Sequence, residues 1–373
     1  MNVLHLITSL NRGGAENHLT CLIRGQLEKK INIFVVYLKG DGYWVNYLKS
    51  IGVKVLKLKE YNFFSQISVI KKIIKINNIN IVHAHLPHME ILGFASLLGN
   101  KNLKFIITKH VDNDYFGGSQ IKKNSIISSI ISLGIYSRVN KIIAISNSVK
   151  KFLIKNSFIN IKNKIKVIYY GLDKFYIDKC LSNNRTKFKP KSKLTFCFIG
   201  RLVKQKQVDQ LILSFNNFYK KIEDHENKYG LLIVGSGPEK KMLINYSNEL
   251  GINDKITWKN FTDDVGSIFQ EIDVFCINSS FEGLGLVMLE AMAYSKPIIG
   301  PDISAIPEVI KNNINGLTVK AGDTNEYTDA MIKLTNDQKR DLLSRNSYKI
   351  LKENFNFDVM ISKVSAIYNE KNL

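Results

Sequence analysis

Short β-branched runs alternate with amphipathic stretches along nearly the whole chain, and this alternation restricts the fold more than any other feature of the sequence. The first half carries NVLHLI, NIFVVYL, VKVLKL, NIVHAHL, KFIITKH, KIIAIS and KIKVIYYG, and the second LTFCFIG, GLLIVGSG, KITWKN, DVFCIN and KPIIG. Between them lie patterns such as ENHLTCLIRGQLEKK and ISVIKKIIKINN, apolar at helical spacing. Strands separated by helices come back parallel, so the chain is expected to form parallel sheets covered by helices on both faces. The rhythm breaks at DKFYIDKCLSNNRTKFKPKSK, residues 173–193, which is polar and basic, contains Pro190 and has no sustained periodicity. The 373 residues therefore divide into two α/β domains, each Rossmann-like and doubly wound, which are expected to face each other across a cleft. Their expected bounds are 1–175 for the first, 176–192 for the linker and 193–357 for the second.

Hydrophobic residues make up 45% of the chain and charged residues 23%, a composition that folds rather than one that stays disordered. No apolar span is long enough to cross a bilayer, and MNVLHLITSL lacks the basic start of a signal peptide, so it reads as a first strand. The four cysteines are scattered without a CxxC pair, and Cys197 and Cys276 lie in strand-like runs as buried thiols. These features together predict a cytoplasmic protein. Charge is unevenly spread: residues 1–190 hold 30 Lys and Arg against 9 Asp and Glu, whereas the remainder holds 23 of each. A half so depleted in acids is expected to face something anionic, whether a membrane surface, a lipid phosphate or nucleic acid.

In SSFEGLGLVMLEAMAYSKPIIG, Glu282 and Glu290 interrupt an apolar, glycine-bearing run. Helix is expected from near Leu286, with Leu286, Met288, Leu289 and Met292 on its buried side. Helical side chains lean toward the N-terminus, so both carboxylates can converge on the helix mouth. There Gly283, Leu284, Gly285 and Leu286 offer unpaired backbone N–H groups, which suit phosphate or sugar oxygens, and the carboxylates accept from hydroxyls. The plainer alternative makes Glu282 a helix-start residue and Glu290 a salt-bridge partner. In FIGRLVKQKQVDQLILSF, Gly200 ends a strand, Arg201 follows at once and Lys206 arrives before the next helix. Two fixed cations at a strand's carboxyl end can neutralise a diphosphate as it leaves, although an ordinary basic loop has the same sequence. Beside an acid-bearing helix mouth, they favour a nucleotide diphosphate.

Gly13 and Gly14 in LITSLNRGGAENHL close the first strand–helix turn, and Gly235 and Gly237 in LLIVGSGPEKK repeat the arrangement. Phosphate approach and a tight turn explain these glycines equally well. His83, His85 and His88 are close in sequence, and His83 and His85 share a strand face. No neighbouring acid or cysteine completes a metal site there, and none is expected. Asp112-x-Asp114 has a spacing used elsewhere to hold a cation, but a lone pair of this kind arises easily by chance. His110, at a strand end facing the cleft, is the better functional candidate, with a structural histidine as the alternative.

Taken in order, these motifs resemble the retaining glycosyltransferases of family 4, which have the two-Rossmann GT-B fold. The resemblance rests on the glutamates bracketing seven residues in EGLGLVMLEAMA, on the N-terminal GGAE, on Thr108-Lys109-His110, on AISNSV, on GRL with its following lysine, on VGSGP and on AIPEVIKNNINGLTV. It implies that Glu290 holds the nucleotide ribose and Glu282 contacts the donor sugar. Arg201 and Lys206 would bind the diphosphate, near the amides of Leu284, Gly285 and Leu286. His110 would touch the donor sugar from the N-terminal domain, Gly14, with Gly13 beside it, would line the acceptor side, and a last helix from about Asp358 would return to that domain. It also implies no metal, no tightly bound cofactor and transfer with retention from a nucleotide-diphosphate sugar. The chain departs from the family pattern at Gln207 and Ser295, where glycine is usual, and at Tyr170-Gly171, where Asn-Gly is usual.

The leading expectation is thus a glycosyltransferase at the cytoplasmic face that extends a lipid-linked saccharide in cell-surface polysaccharide or glycan biosynthesis. SVIKKIIKI and IKKNSIISSIISLGIYSR, apolar on one side and lysine-bearing, could lie on anionic lipid or could be ordinary core-packed helices. A nucleotide-sugar epimerase or a phosphorylase of the same fold is the alternative enzyme. A basic nucleic-acid-binding protein is disfavoured, because the aromatic stacking pattern of RNA modules is lacking.

Overall fold

The computed structural model describes residues 1–58, 62–100, 102–111, 126–173, 193–222, 228–262 and 264–370. The linker expected at 176–192 and the Asp112-x-Asp114 pair lie outside the described residues. The chain forms two compact units, one of Met1–Gly171 with Phe357–Leu373 and one of Leu172–Asn356.

The first unit is built on seven parallel strands: β1 Asn2–Ser9, β2 Asn32–Lys39, β3 Lys54–Lys57, β4 Ile81–His85, β5 Lys104–Lys109, β6 Lys141–Ala144 and β7 Ile165–Val167. Their order is β3-β2-β1-β4-β5-β6-β7, so the winding reverses beside β1. Alternate residues of β1 serve opposite faces. Val3 and Ile7 pack with Leu19, Leu22 and Met360 from helices Gly14–Glu28 and Phe357–Asn369. On the other face Leu6 lies under helix Pro87–Ser96, where a Cβ added to Gly93 would come within 3.2 Å of it. Each fully buried Leu or Ile contributes about 1.5–3 kcal/mol, so covering both faces makes this sheet the core of the unit.

The second unit holds six parallel strands: β8 Leu194–Ile199, β9 Tyr229–Val234, β10 Ile256–Lys259, β11 Val274–Cys276, β12 Ile298–Pro301 and β13 Gly316–Val319. Their order is β10-β9-β8-β11-β12-β13, with the reversal between β8 and β11. Phe196, Phe215 and Phe218 interlock in the core, with the rings of Phe196 and Phe218 edge to face at 5.2 Å. Cys197 and Cys276 are fully buried free thiols, as expected. The two parallel, helix-flanked sheets bear out the expected α/β class. Twelve of the strands coincide with the β-branched runs, and β13 is the addition. Among the described residues no helix is long and apolar enough to cross a membrane.

Candidate active site

In the second unit the expected charged residues gather where the strand order reverses. Leaving β8, the chain passes Gly200 and the exposed Arg201, buries Leu202, and makes a 3₁₀ turn over Lys204–Lys206. Gln207 then adopts the left-handed conformation (φ 46°, ψ 45°), which turns the backbone into helix Val208–Ile222. Glycine reaches this conformation without the Cβ penalty, which accounts for its usual presence here. Leaving β11, the chain runs through Asn278 and Ser279 to Glu282. The two loops are tied together: Ser280 N–H donates to Gln205 C=O (2.8 Å), Gln205 Nε2 to Phe281 C=O (2.8 Å), and Asn278 Nδ2 to Gln207 C=O (3.2 Å).

Across this seam Lys206 Nζ pairs with Glu282 Oε1, which also accepts from Ser279 Oγ at 2.7 Å. The side chains are 15% and 11% exposed, so the pair is shielded and yet within reach of a ligand. Ser304 Oγ donates to the Glu282 carbonyl at 2.7 Å and fixes its backbone. The sequence had assigned Lys206 and Glu282 to different parts of a ligand, and here they meet each other. Ser279, Gln205 and Ser304, which hold the pair in place, were not found from sequence because their contacts span 22 to 76 residues or depend on the turn.

Helix Leu286–Ala293 begins where expected, after Gly285 at φ 82°, with no side chain capping it. Met288 N–H bonds the Gly285 carbonyl at 2.9 Å, and the N–H groups of Leu286 and Val287 ahead of it lie at the positive end of the helix dipole. Gly283 and Leu284 are buried behind this mouth, and Glu290 is half-buried on the helix. Gly235 and Gly237 have a packing explanation of their own. A Cβ on Gly235 would lie 1.9 Å from the Gly200 carbonyl oxygen, and one on Gly237 would lie 2.1 Å from that of Leu202. Glycine at both positions lets the β9 turn press directly on the turn after β8, and so shapes the backbone around Arg201.

In the first unit His110 follows β5 and is 7% exposed. Both of its ring nitrogens are engaged: Nδ1 with the Tyr170 hydroxyl at 2.5 Å and Nε2 with His85 Nδ1 at 3.2 Å. Burial, helped by the Lys109 ammonium, lowers its pKa to about 3, so the ring is neutral at pH 7. His83 and His85 do share a strand face, and His5 from β1 joins them through the register His5↔His83. Ligand atoms of these three rings lie within 4.8 Å of one another. Each of their nitrogens nevertheless has a hydrogen-bond partner within the unit, so the cluster is already satisfied without an ion. At the start of helix Gly14–Glu28 the surroundings of Gly14 are open, whereas a Cβ on Gly13 would strike the Glu16 carboxylate. That buried carboxylate accepts from Ser9 Oγ at 2.5 Å. Lys109 and Glu90 form a further buried pair at 3.0 Å.

Two doubly wound parallel units in one chain, one of them with cations and carboxylates at its strand reversal, define the class of GT-B glycosyltransferases. Within that class the chain belongs to family 4. The family described as "Glycosyltransferase Family 4" matches residues 12–174, and that described as "Glycosyl transferases group 1" matches residues 182–350. A glycosyltransferase of Methanocaldococcus jannaschii is 32% identical over 241 residues, which span 63% of this chain and 59% of that protein. The UDP-Gal:alpha-D-GlcNAc-diphosphoundecaprenol alpha-1,3-galactosyltransferase of Escherichia coli is 24% identical over 306 residues, covering 80% of this chain and 77% of the relative. Among solved structures, Anabaena HepE in complex with UDP has a TM-score of 0.82 at 18% identity, covering 98% of this chain and 99% of that one.

Proposed function

We propose that this glycosyltransferase moves a sugar, with retention of anomeric configuration and without a metal, from a uridine-diphosphate sugar to a hydroxyl of a growing lipid-linked saccharide. The observation that carries this reading is the Lys206–Glu282 pair at the strand reversal, beside Arg201 and the uncapped helix at Leu286. Lys206 and Arg201 take the diphosphate, on a surface lined by Gly200, Gly235 and Gly237. The amides of Gly283, Leu284, Gly285 and Leu286 add donors to the same oxygens. Once Lys206 turns to phosphate, Glu282 is released to accept from a donor-sugar hydroxyl, while Glu290 accepts from the ribose. His110 contacts the donor sugar from the first unit, and Gly13 and Gly14 line the acceptor side. Negative charge grows on the departing diphosphate, so cations fixed before the reaction lower the barrier most. A same-face displacement, in which that diphosphate helps take the acceptor's proton, gives retention without a protein nucleophile. The UDP complex of the structural neighbour supports the choice of nucleotide, and the name of the E. coli relative supports the choice of acceptor.

The reading includes a cytoplasmic site of action against the inner membrane face. Helix Phe63–Ile76 exposes Phe64 at 81% and Ile76 at 64% beside Lys71, Lys72 and Lys75, a mixture suited to anionic lipid. Flotation with anionic vesicles at low and high salt tests this part, and no salt-sensitive binding removes it. The transfer itself is tested by thermal shift with a panel of nucleotide sugars, followed by turnover in EDTA and NMR of the product's anomeric linkage. Stabilisation by a uridine-diphosphate sugar and an unchanged anomeric configuration are expected. An inverted product, or activity lost in EDTA and restored by a divalent cation, overturns it.

A further inference from the structure

In the first unit four buried histidines form part of an unbroken chain of hydrogen bonds. Tyr170 OH meets His110 Nδ1 (2.5 Å), His110 Nε2 meets His85 Nδ1 (3.2 Å), and His85 Nε2 meets His5 Nδ1 (3.1 Å). His5 Nε2 then meets Gln26 Oε1 (2.9 Å), and Gln26 Nε2 donates to Tyr368 OH (2.9 Å). The chain ends with Tyr368 OH on His83 Nδ1 (2.7 Å) and His83 Nε2 on Thr108 Oγ1 (2.7 Å). All these side chains are buried.

Proton accounting ties the direction of these bonds to the orientation of the Gln26 amide. A neutral imidazole has one N–H and one lone pair, and an amide oxygen only accepts. With Gln26 Oε1 toward His5, the His5 proton must be on Nε2, and Nδ1 must accept. His85 therefore donates from Nε2 and accepts at Nδ1, and His110 follows the same rule. On the far side Gln26 donates to Tyr368, which can then donate to His83. A single direction then runs from Tyr170 through His110, His85 and His5 to Gln26 and on through Tyr368 to Thr108. Turning the Gln26 amide over reverses all of it, and a Tyr368 oxygen that accepts from both neighbours reverses the His83 end alone. Burial depresses the pKa of all four imidazoles, which agrees with neutral rings.

We propose that Gln26 is a positioning residue which, through His5 and His85, locks His110 as the Nε2–H tautomer, so that His110 Nδ1 accepts from a donating substrate hydroxyl in the place now taken by Tyr170. The site then takes a hydroxyl and rejects a group that only accepts, such as a carbonyl or ring oxygen. Tyr170 stands where the family pattern has asparagine, and its ring is stacked on His18 at 4.0 Å. It is the stand-in that the hydroxyl replaces. The substrate part rests on the reading of His110 under Proposed function, whereas the tautomer lock does not.

The test is two-bond ¹H–¹⁵N NMR of the full-length protein, labelled at histidine, at pH 7. His5, His83, His85 and His110 should each show a protonated Nε2 and a bare Nδ1. Gln26→Leu should turn the single His110 tautomer into a mixture, and Tyr368→Phe, which frees the Gln26 amide to turn, should do so more weakly. A His110 protonated at Nδ1 in the wild-type protein overturns the lock even if neither variant folds. An unchanged His110 pattern in folded Gln26→Leu does the same. Tyr170→Phe should lower the donor KM several-fold, and an unchanged KM with the expected NMR pattern overturns the substrate part alone. Failure to turn over any nucleotide sugar would count against the proposed function and leave the NMR result standing.

Discussion

Lys206 and Glu282 form an ion pair across two loops that leave the neighbouring strands β8 and β11, 76 residues apart in sequence. The pair holds both groups oriented before any ligand arrives. Replacing Lys206 by methionine leaves Glu282 with Ser279 Oγ and removes one of the two cations proposed to bind the diphosphate. The expected loss in kcat/KM for the donor is on the order of 10²–10³-fold, the usual effect of removing one preorganised charge contact. Undiminished steady-state kinetics would take Lys206 out of the site.

Arg201 and Glu290 should fail differently. Arg201 is exposed, and in its proposed role on the departing diphosphate Arg201→Ala should act chiefly on kcat. Glu290→Ala should weaken nucleoside-diphosphate binding by roughly tenfold, the effect of about one charged hydrogen bond. Calorimetric titration with UDP separates the two, and wild-type affinity in the Glu290 variant would sink its ribose role.

Ser295 has φ 54° at the end of helix Leu286–Ala293, where a left-handed side chain costs about 1–2 kcal/mol. Glycine removes that penalty and adds some backbone entropy cost in folding. Ser295→Gly should therefore stabilise the second unit by about 0.5–1 kcal/mol in urea denaturation. A lower midpoint would mean that the serine side chain makes a compensating contact.

The histidine cluster predicts acid sensitivity. His5 is lowered to about 4 and His110 to about 3 by burial, and His18, His83 and His85 are lowered as well. Below about pH 6.5 the unfolded chain takes up protons that the folded one refuses, so stability falls as pH falls from there toward 4. Each such imidazole contributes a slope of about 1.4 kcal/mol per pH unit. Urea midpoints at pH 7 and pH 5.5 should differ accordingly, and His5→Gln should flatten the slope. Equal midpoints would contradict neutral, locked rings.

The helix mouth and the two cations after β8 were legible because helix starts, glycines and charge in a turn are local signals. The Lys206–Glu282 pairing was not, since it depends on β8 and β11 being neighbours in a sheet whose order departs from chain order. His5 was missed for the same reason. It lies in an ordinary first strand, and only the β1–β4 register sets it against His83. Strand β13 escaped because its four residues, Gly316–Val319, open on a glycine and are too few to show an alternation of their own. The unusual residues Gln207 and Ser295 were visible as departures from a pattern, but their left-handed backbone gives the physical cost of those departures.

The helix Phe357–Asn369 belongs to the unit whose other residues precede Leu172. It supplies Tyr368 to the hydrogen-bond chain, and carbonyls of residues 367 and 368 to the buried Lys104 ammonium. On a ribosome the seven strands of that unit are made first, yet they lack one covering helix until the second unit has been synthesised. The later, contiguous unit can therefore close before the earlier one, and nascent chains halted short of residue 357 should hold an apolar sheet face open for chaperones.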